Sequence, residues 1–95
     1  MEEQLKNIPN CLRKYRRARN FTQRDVAKIL NVKNASMISR WEKGVCLPST
    51  INLLRLAVLY RTSAEALLIE HTRKIKPEIY KREEKYINHA RGSRI

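Results

Sequence analysis

The sequence is poor in the residues that break a chain into turns, with two glycines and three prolines in 95 residues. Leu, Ile, Ala, Lys, Arg and Glu dominate, which suits helices joined by short connections, and no β-hairpin signal is present. Cysteine and histidine are scarce as well. Cys11 and Cys46 stand far apart without a Cys-x-x-Cys pair, and His71 and His89 are isolated. That spacing argues against a metal site, and two reduced, partly buried cysteines are expected. Gly-rich phosphate loops and a histidine near a nucleophile motif are missing too, so neither a cofactor nor enzymatic activity is expected. No apolar run approaches the roughly 20 residues that span a bilayer. The opening Met1-Glu2-Glu3-Gln4 is acidic and lacks the basic-then-apolar order of a secretory signal. The expectation is a soluble, cytoplasmic chain without a membrane partner.

Acidic residues are the other shortage. Nine Asp and Glu face 21 Lys and Arg, leaving a net charge of +12 spread over head, middle and tail. On so small a chain that excess favours a polyanionic partner, nucleic acid first. The length fits one hydrophobic core with an appended segment.

Helix signals recur at short intervals. Pro9 suits a first helical turn, with Cys11, Leu12 and Tyr15 as the apolar side up to about Arg19 and Asn20 as the stop. Arg13, Lys14, Arg16 and Arg17 occupy its other face. Thr22 is a natural N-cap with Asp25 three residues on, and Val26, Ala27, Ile29 and Leu30 predict a second helix that Asn31 ends. After a short connection, Asn34 can cap a third helix over 35–43 that Gly44 terminates. Ser49 caps a fourth through Tyr60 and Ser63 a fifth to about Glu70. Pro77 can open a sixth, carrying Ile79, Tyr80, Tyr86 and Ile87; the alternative is a partly disordered basic tail. The expected divisions are an arm over residues 1–8, a helical domain over 9–70 and a basic extension over 71–95.

Helix 35–43 has two distinct sides. At 100° per residue Ala35, Ile38, Trp41 and Glu42 share one, and Ser36, Ser39, Arg40 and Lys43 share the other. An apolar side on a scaffold with outward donors is what a DNA-reading helix requires. Arg40 can donate two hydrogen bonds to guanine; by itself it reads more readily as a solvated surface arginine, and the surrounding pattern reverses that. Gln23, first in the second helix, suits a phosphate oxygen or a neutral first-turn position. Trp41 shares the phase of Ile38 and reads as core rather than as a base-stacking platform.

The run Leu12-Arg13-Lys14-Tyr15-Arg16, then Phe21-Thr22-Gln23-Arg24-Asp25-Val26-Ala27, Ile38-Ser39-Arg40-Trp41-Glu42-Lys43-Gly44, Pro48-Ser49, Leu53-Leu54-Arg55-Leu56-Ala57, Ser63 and Leu67-Leu68 resembles the Cro and lambda-repressor type, XRE-like helix-turn-helix family. The likeness covers about Leu12 to Leu68. It implies an all-α, five-helix, lambda-repressor-like DNA-binding domain, here followed by a basic extension that can be helical from Pro77. The third helix of that family enters the major groove, the second lies across the backbone, and dimers read two half-sites. A sequence-specific regulator of transcription, of repressor type, is therefore expected, with double-stranded DNA as partner. By the same resemblance Ser36 and Arg40 meet base edges with Met37 and Ser39 at the margin, while Gln23, Lys33, Asn34 and Lys43 contact phosphates. It also pairs Arg16 with Glu42. Two departures stand out: the stretch from Val32 to Glu42 is one residue longer than the usual pattern, which unsettles the roles of Lys33, Asn34 and Ala35, and Asn31 replaces a common Gly.

Ile51, Leu54 and Val58 add a second apolar stripe to the fourth helix. It needs cover, from a second protomer or from Ile79, Tyr86 and Ile87 of the same chain. In the latter case Lys81, Arg82, Lys85, Arg91 and Arg94 remain solvated or touch phosphates. A homodimer is the preferred expectation. Two rival functions fit as well: an antitoxin-type autoregulator whose extension holds a small protein partner, and a protein-binding bridging module with unspecific nucleic-acid affinity.

Overall fold

Local capping chemistry sets most of the helix ends. The computed structural model describes residues 7–94 and the side chains of residues 7–90; residues 1–6 of the expected arm and the side chains of Arg91 and Arg94 lie outside them. Within that range six helices follow one another: α1 (Leu12–Ala18), α2 (Gln23–Leu30), α3 (Ala35–Lys43), α4 (Thr50–Leu59), α5 (Ala64–Leu67) and α6 (Ile69–Arg94). Thr22 and Asp25 close a reciprocal capping box on α2, and Asn31 ends the helix in the left-handed conformation. The Asn34 side chain accepts from the Ser36 backbone to start α3. Ser49 and Ser63 do the same for α4 and α5.

α2 packs on α3 and on α4, α1 on α3, and α5 on α4 and α6. Leu12, Val26, Ala27, Leu30, Ile38, Trp41, Leu56, Ala57, Tyr60 and Leu67 meet in one buried core. The result is an all-helical, lambda-repressor-like fold without a strand among the described residues.

Three boundaries differ from the sequence-based expectation. α1 starts at Leu12 rather than Pro9, because Asn10 donates its amide to the carbonyls of Ile8 and Trp41 and the Cys11 N–H goes to Leu67 O at 2.8 Å. Those bonds hold residues 8–11 against the ends of α3 and α5, and Asn10 Oδ1 receives the Leu12 N–H at 3.1 Å in place of a helical turn. α5 stops at Leu67 rather than near Glu70. α6 begins at Ile69, so Pro77 lies inside it and not at its start. A proline there frees the carbonyl one turn back, and on an exposed helix water can satisfy it.

Tyr60 brings an unsatisfied polar group into the core. Its hydroxyl is buried without a hydrogen-bond partner among the described residues. Burial pushes the phenol well above its ordinary value, with the Glu42 charge adding to the rise and Arg16 opposing it. An acid whose folded pKa is raised contributes stability that is intact below the unfolded value, about 10, and lost as pH climbs through it. Tyr60→Phe removes the orphaned hydroxyl and is expected to be as stable as the parent at pH 7, or up to about 1 kcal/mol more so. It should also lose less stability between neutral pH and about pH 11. Urea midpoints of both chains across that range check this; a parallel decline would contradict it.

Candidate nucleic-acid interface

α3 carries one continuous outward face. Ser36, Arg40 and Lys43 recur at intervals of four and three residues, and all three are exposed. Met37 is exposed on one flank and Ser39 half-buried on the other. The opposite side is anchored: Ile38 and Trp41 are buried, and the Glu42 side chain is 3% exposed. Gly44 ends the helix at φ +75. The Ser36 hydroxyl donates to Asn34 Oδ1, which leaves its oxygen lone pairs as the group it presents outward.

A buried ionic cluster sets where α3 sits against α1 and α2. Arg16 Nε donates to Glu42 Oε2 at 2.5 Å and Nη2 to Oε1 at 3.2 Å, a fork on the carboxylate, while Nη1 reaches the Phe21 carbonyl at 2.8 Å. Gln23 Nε2 donates to the same Oε1 at 3.0 Å. Three helices are thus tied through one carboxylate. The bond to Glu42 is the main reason the Arg16 guanidinium is held still more firmly in its charged form.

Gln23 therefore spends one amide hydrogen internally and keeps a second for solvent or ligand. Its surroundings contain two cations that the sequence reasoning passed over. Arg13 and Arg24 line, with Arg16, Thr22, Gln23 and Ala35, an open concavity between the start of α2 and the start of α3. The available signal was their placement: Arg24 in the first turn of a helix beside Gln23, and Arg13 on the basic face of α1. On the other side of Ala35, Lys33 and Asn34 line a second open concavity with Arg24 and Lys28, built by the enlarged connection. Asn34 commits its Oδ1 to capping, so only its amide nitrogen faces outward as a donor.

Ile51, Leu54 and Val58 are not with this cluster. They line an apolar groove with Ile29, Leu30 and Leu59, flanked by Arg55 and Arg61. The extension does not cover it: Ile51, Leu54 and Val58 are 65%, 48% and 71% exposed, and Ile79, Tyr80 and Tyr86 lie open as well. Intrachain cover of that stripe is thereby corrected. The physical reason is that α6 leaves α5 as one continuous helix instead of turning back at Pro77.

The family model for the helix-turn-helix family matches residues 12–67, which spans α1 to α5 and more than half of the chain. The chain belongs to this family, of the XRE and lambda-repressor type, whose domains are DNA-binding and regulatory. No curated protein and no solved structure matches it significantly. No helix among the described residues is long and apolar enough to cross a membrane.

Proposed function

We propose that this protein is a sequence-specific regulator of transcription, of repressor type, acting in the cytoplasm on double-stranded DNA as a homodimer. The observation that carries this reading is the single outward face of Ser36, Arg40 and Lys43 on a helix whose other side is locked by Ile38, Trp41 and the Arg16–Glu42 pair. Arg40 forks onto guanine O6 and N7 in the major groove, and the Ser36 oxygen accepts from the amino group of an adjacent cytosine or adenine. Met37 sets its methyl against a thymine methyl, with Ser39 at the margin. Lys43, Lys33, the Asn34 amide and the second Gln23 hydrogen hold phosphates, joined by Arg13 and Arg24. Ile51, Leu54 and Val58 form part of the dimer surface.

Selection of bound sequences from a random duplex pool at two salt concentrations tests the proposal. An enriched inverted repeat that survives the higher salt supports it, and flat affinity across sequences refutes it. Arg40→Ala is expected to lower affinity for the selected site by about 10-fold or more relative to random DNA. Lys43→Ala should weaken both about equally and reduce the salt slope by about one. Equal losses on all sequences for Arg40→Ala would remove the base-reading role from that residue. A second reading, an antitoxin-type autoregulator, draws on the open apolar side of α6 alone; copurification of a small protein would favour it.

A further inference from the structure

Two apolar surfaces lack cover among the described residues. The first is the groove of Ile29, Ile51, Leu54 and Val58 flanked by Arg55 and Arg61. The second is the extension helix. At 100° per residue, Ile75, Ile79, Tyr80, Tyr86 and Ile87 fall within an arc of roughly 140° on α6 that also holds Lys76 and Glu83, while Arg73, Lys74, Glu78, Lys81, Arg82, Glu84 and Lys85 fall on the remainder. All five apolar side chains of that arc are exposed.

We infer that α6 of one copy lies in the α2–α4 groove of a second copy, and reciprocally, so that the dimer is closed by exchanged extension helices. The inference rests on the homodimer reading above and names what occupies its surface. Charge is compatible with this pairing, and area selects it over the alternatives. Glu83 sits in the middle of the apolar arc, and its helical neighbours three and four residues away are Ile79, Tyr80, Tyr86 and Ile87, so no cation of α6 lies one turn from it. Lys76 of the same arc is two turns away, and the groove supplies a cation for Glu83. Arg55 is committed to Asn52 Oδ1 and the Leu30 carbonyl, whereas Arg61 holds only the Val58 carbonyl and stands at the groove's edge. Groove against groove would bring arginines together, whereas stripe against stripe would set Glu83 against Lys76 and leave both grooves open. Exchange places Glu83 opposite Arg61 at two symmetric contacts.

Area points the same way. Four partly exposed aliphatic side chains in the groove fall short of the ~800 Å² per partner that a standard interface buries. Five more from the stripe, two of them tyrosines that are 58% and 73% exposed, bring each copy into that range.

The test uses the full chain with paired charge reversals, Glu83→Arg and Arg61→Glu, both at exposed positions. Each variant alone should raise the dimer dissociation constant at least ~10-fold in sedimentation equilibrium, since like charges then meet at both contacts. An equimolar mixture of the two should regain the parent value to within about threefold, because both contacts of the mixed dimer again pair opposite charges. Circular dichroism checks that both fold; Ile79→Ser with Ile87→Ser is the independent variant and should likewise weaken the dimer. A monomeric parent, a mixture that stays weak, or Arg61→Glu without effect would each overturn the exchange. The last outcome would mean that stripe meets stripe or a different protein. Failure of the exchange alone leaves Arg40-dependent preference for a single half-site intact, whereas failure of the DNA reading abolishes that preference in parent and variants alike.

Discussion

Glu42→Ala is expected to cost about 3–5 kcal/mol of folding stability, out of a total of roughly 5–15 kcal/mol for a domain of this kind. The Glu42 side chain is 3% exposed and that of Arg16 9%. Removing the carboxylate leaves a largely buried guanidinium with the Phe21 carbonyl as its remaining partner, and it releases the Gln23 amide at the same time. Because α1, α2 and α3 meet at this carboxylate, the loss also frees α3 to shift, so affinity for the selected DNA site should fall beyond the unfolded fraction. Removing both charges tells the two effects apart. Arg16→Met with Glu42→Leu leaves no orphaned ion and should cost far less than Glu42→Ala alone. Urea denaturation of the single and double variants decides it: a double variant as unstable as the single one would mean that attraction, and not the stranded charge, is what Glu42 contributes.

Gly44→Ala is expected to destabilise by about 3 kcal/mol. Two independent costs meet at this position. The residue sits at φ +75, where a side chain loses about 1–2 kcal/mol. The added Cβ would also collide with the backbone of Ile8, meeting its carbonyl oxygen and lying 2.6 Å from its nitrogen. The segment over 8–10 must then move, breaking Ile8 N–H to Gly44 O and the Asn10 amide to Trp41 O, each worth about 1 kcal/mol. Gly44→Asn separates the two costs, since asparagine tolerates the left-handed conformation but still carries a Cβ. If the asparagine variant matches the parent in thermal denaturation, the close approach of Ile8 contributes nothing. An intermediate loss is the expected outcome.

Most of the helical plan and the outward face of α3 were legible in the sequence, because both are governed by groups a few residues apart. Thr22, Asn34, Ser49 and Ser63 cap by bonding a backbone N–H two or three positions on, and the sides of α3 follow from a 3.6-residue repeat. The pairing of Arg16 with Glu42 came from the family resemblance rather than from any local rule. The further bond from Gln23 to Glu42 and the two cations Arg13 and Arg24 beside it were not foreseen, since nothing local brings α1, α2 and α3 to one point.

By itself, then, the sequence determined an all-α chain, the left-handed stops at Asn20, Asn31 and Gly44, and which side chains of α3 face outward. Tertiary structure alone decided that α1 waits until Leu12, that Gly44 must admit Ile8, that α6 starts at Ile69 and runs through Pro77, and that the Ile51, Leu54 and Val58 stripe is left open by the described residues. The reason is one of range. Capping and periodicity act within a turn of helix, whereas these features depend on hydrogen bonds and contacts between residues dozens of positions apart, such as Asn10 with Trp41 and Cys11 with Leu67.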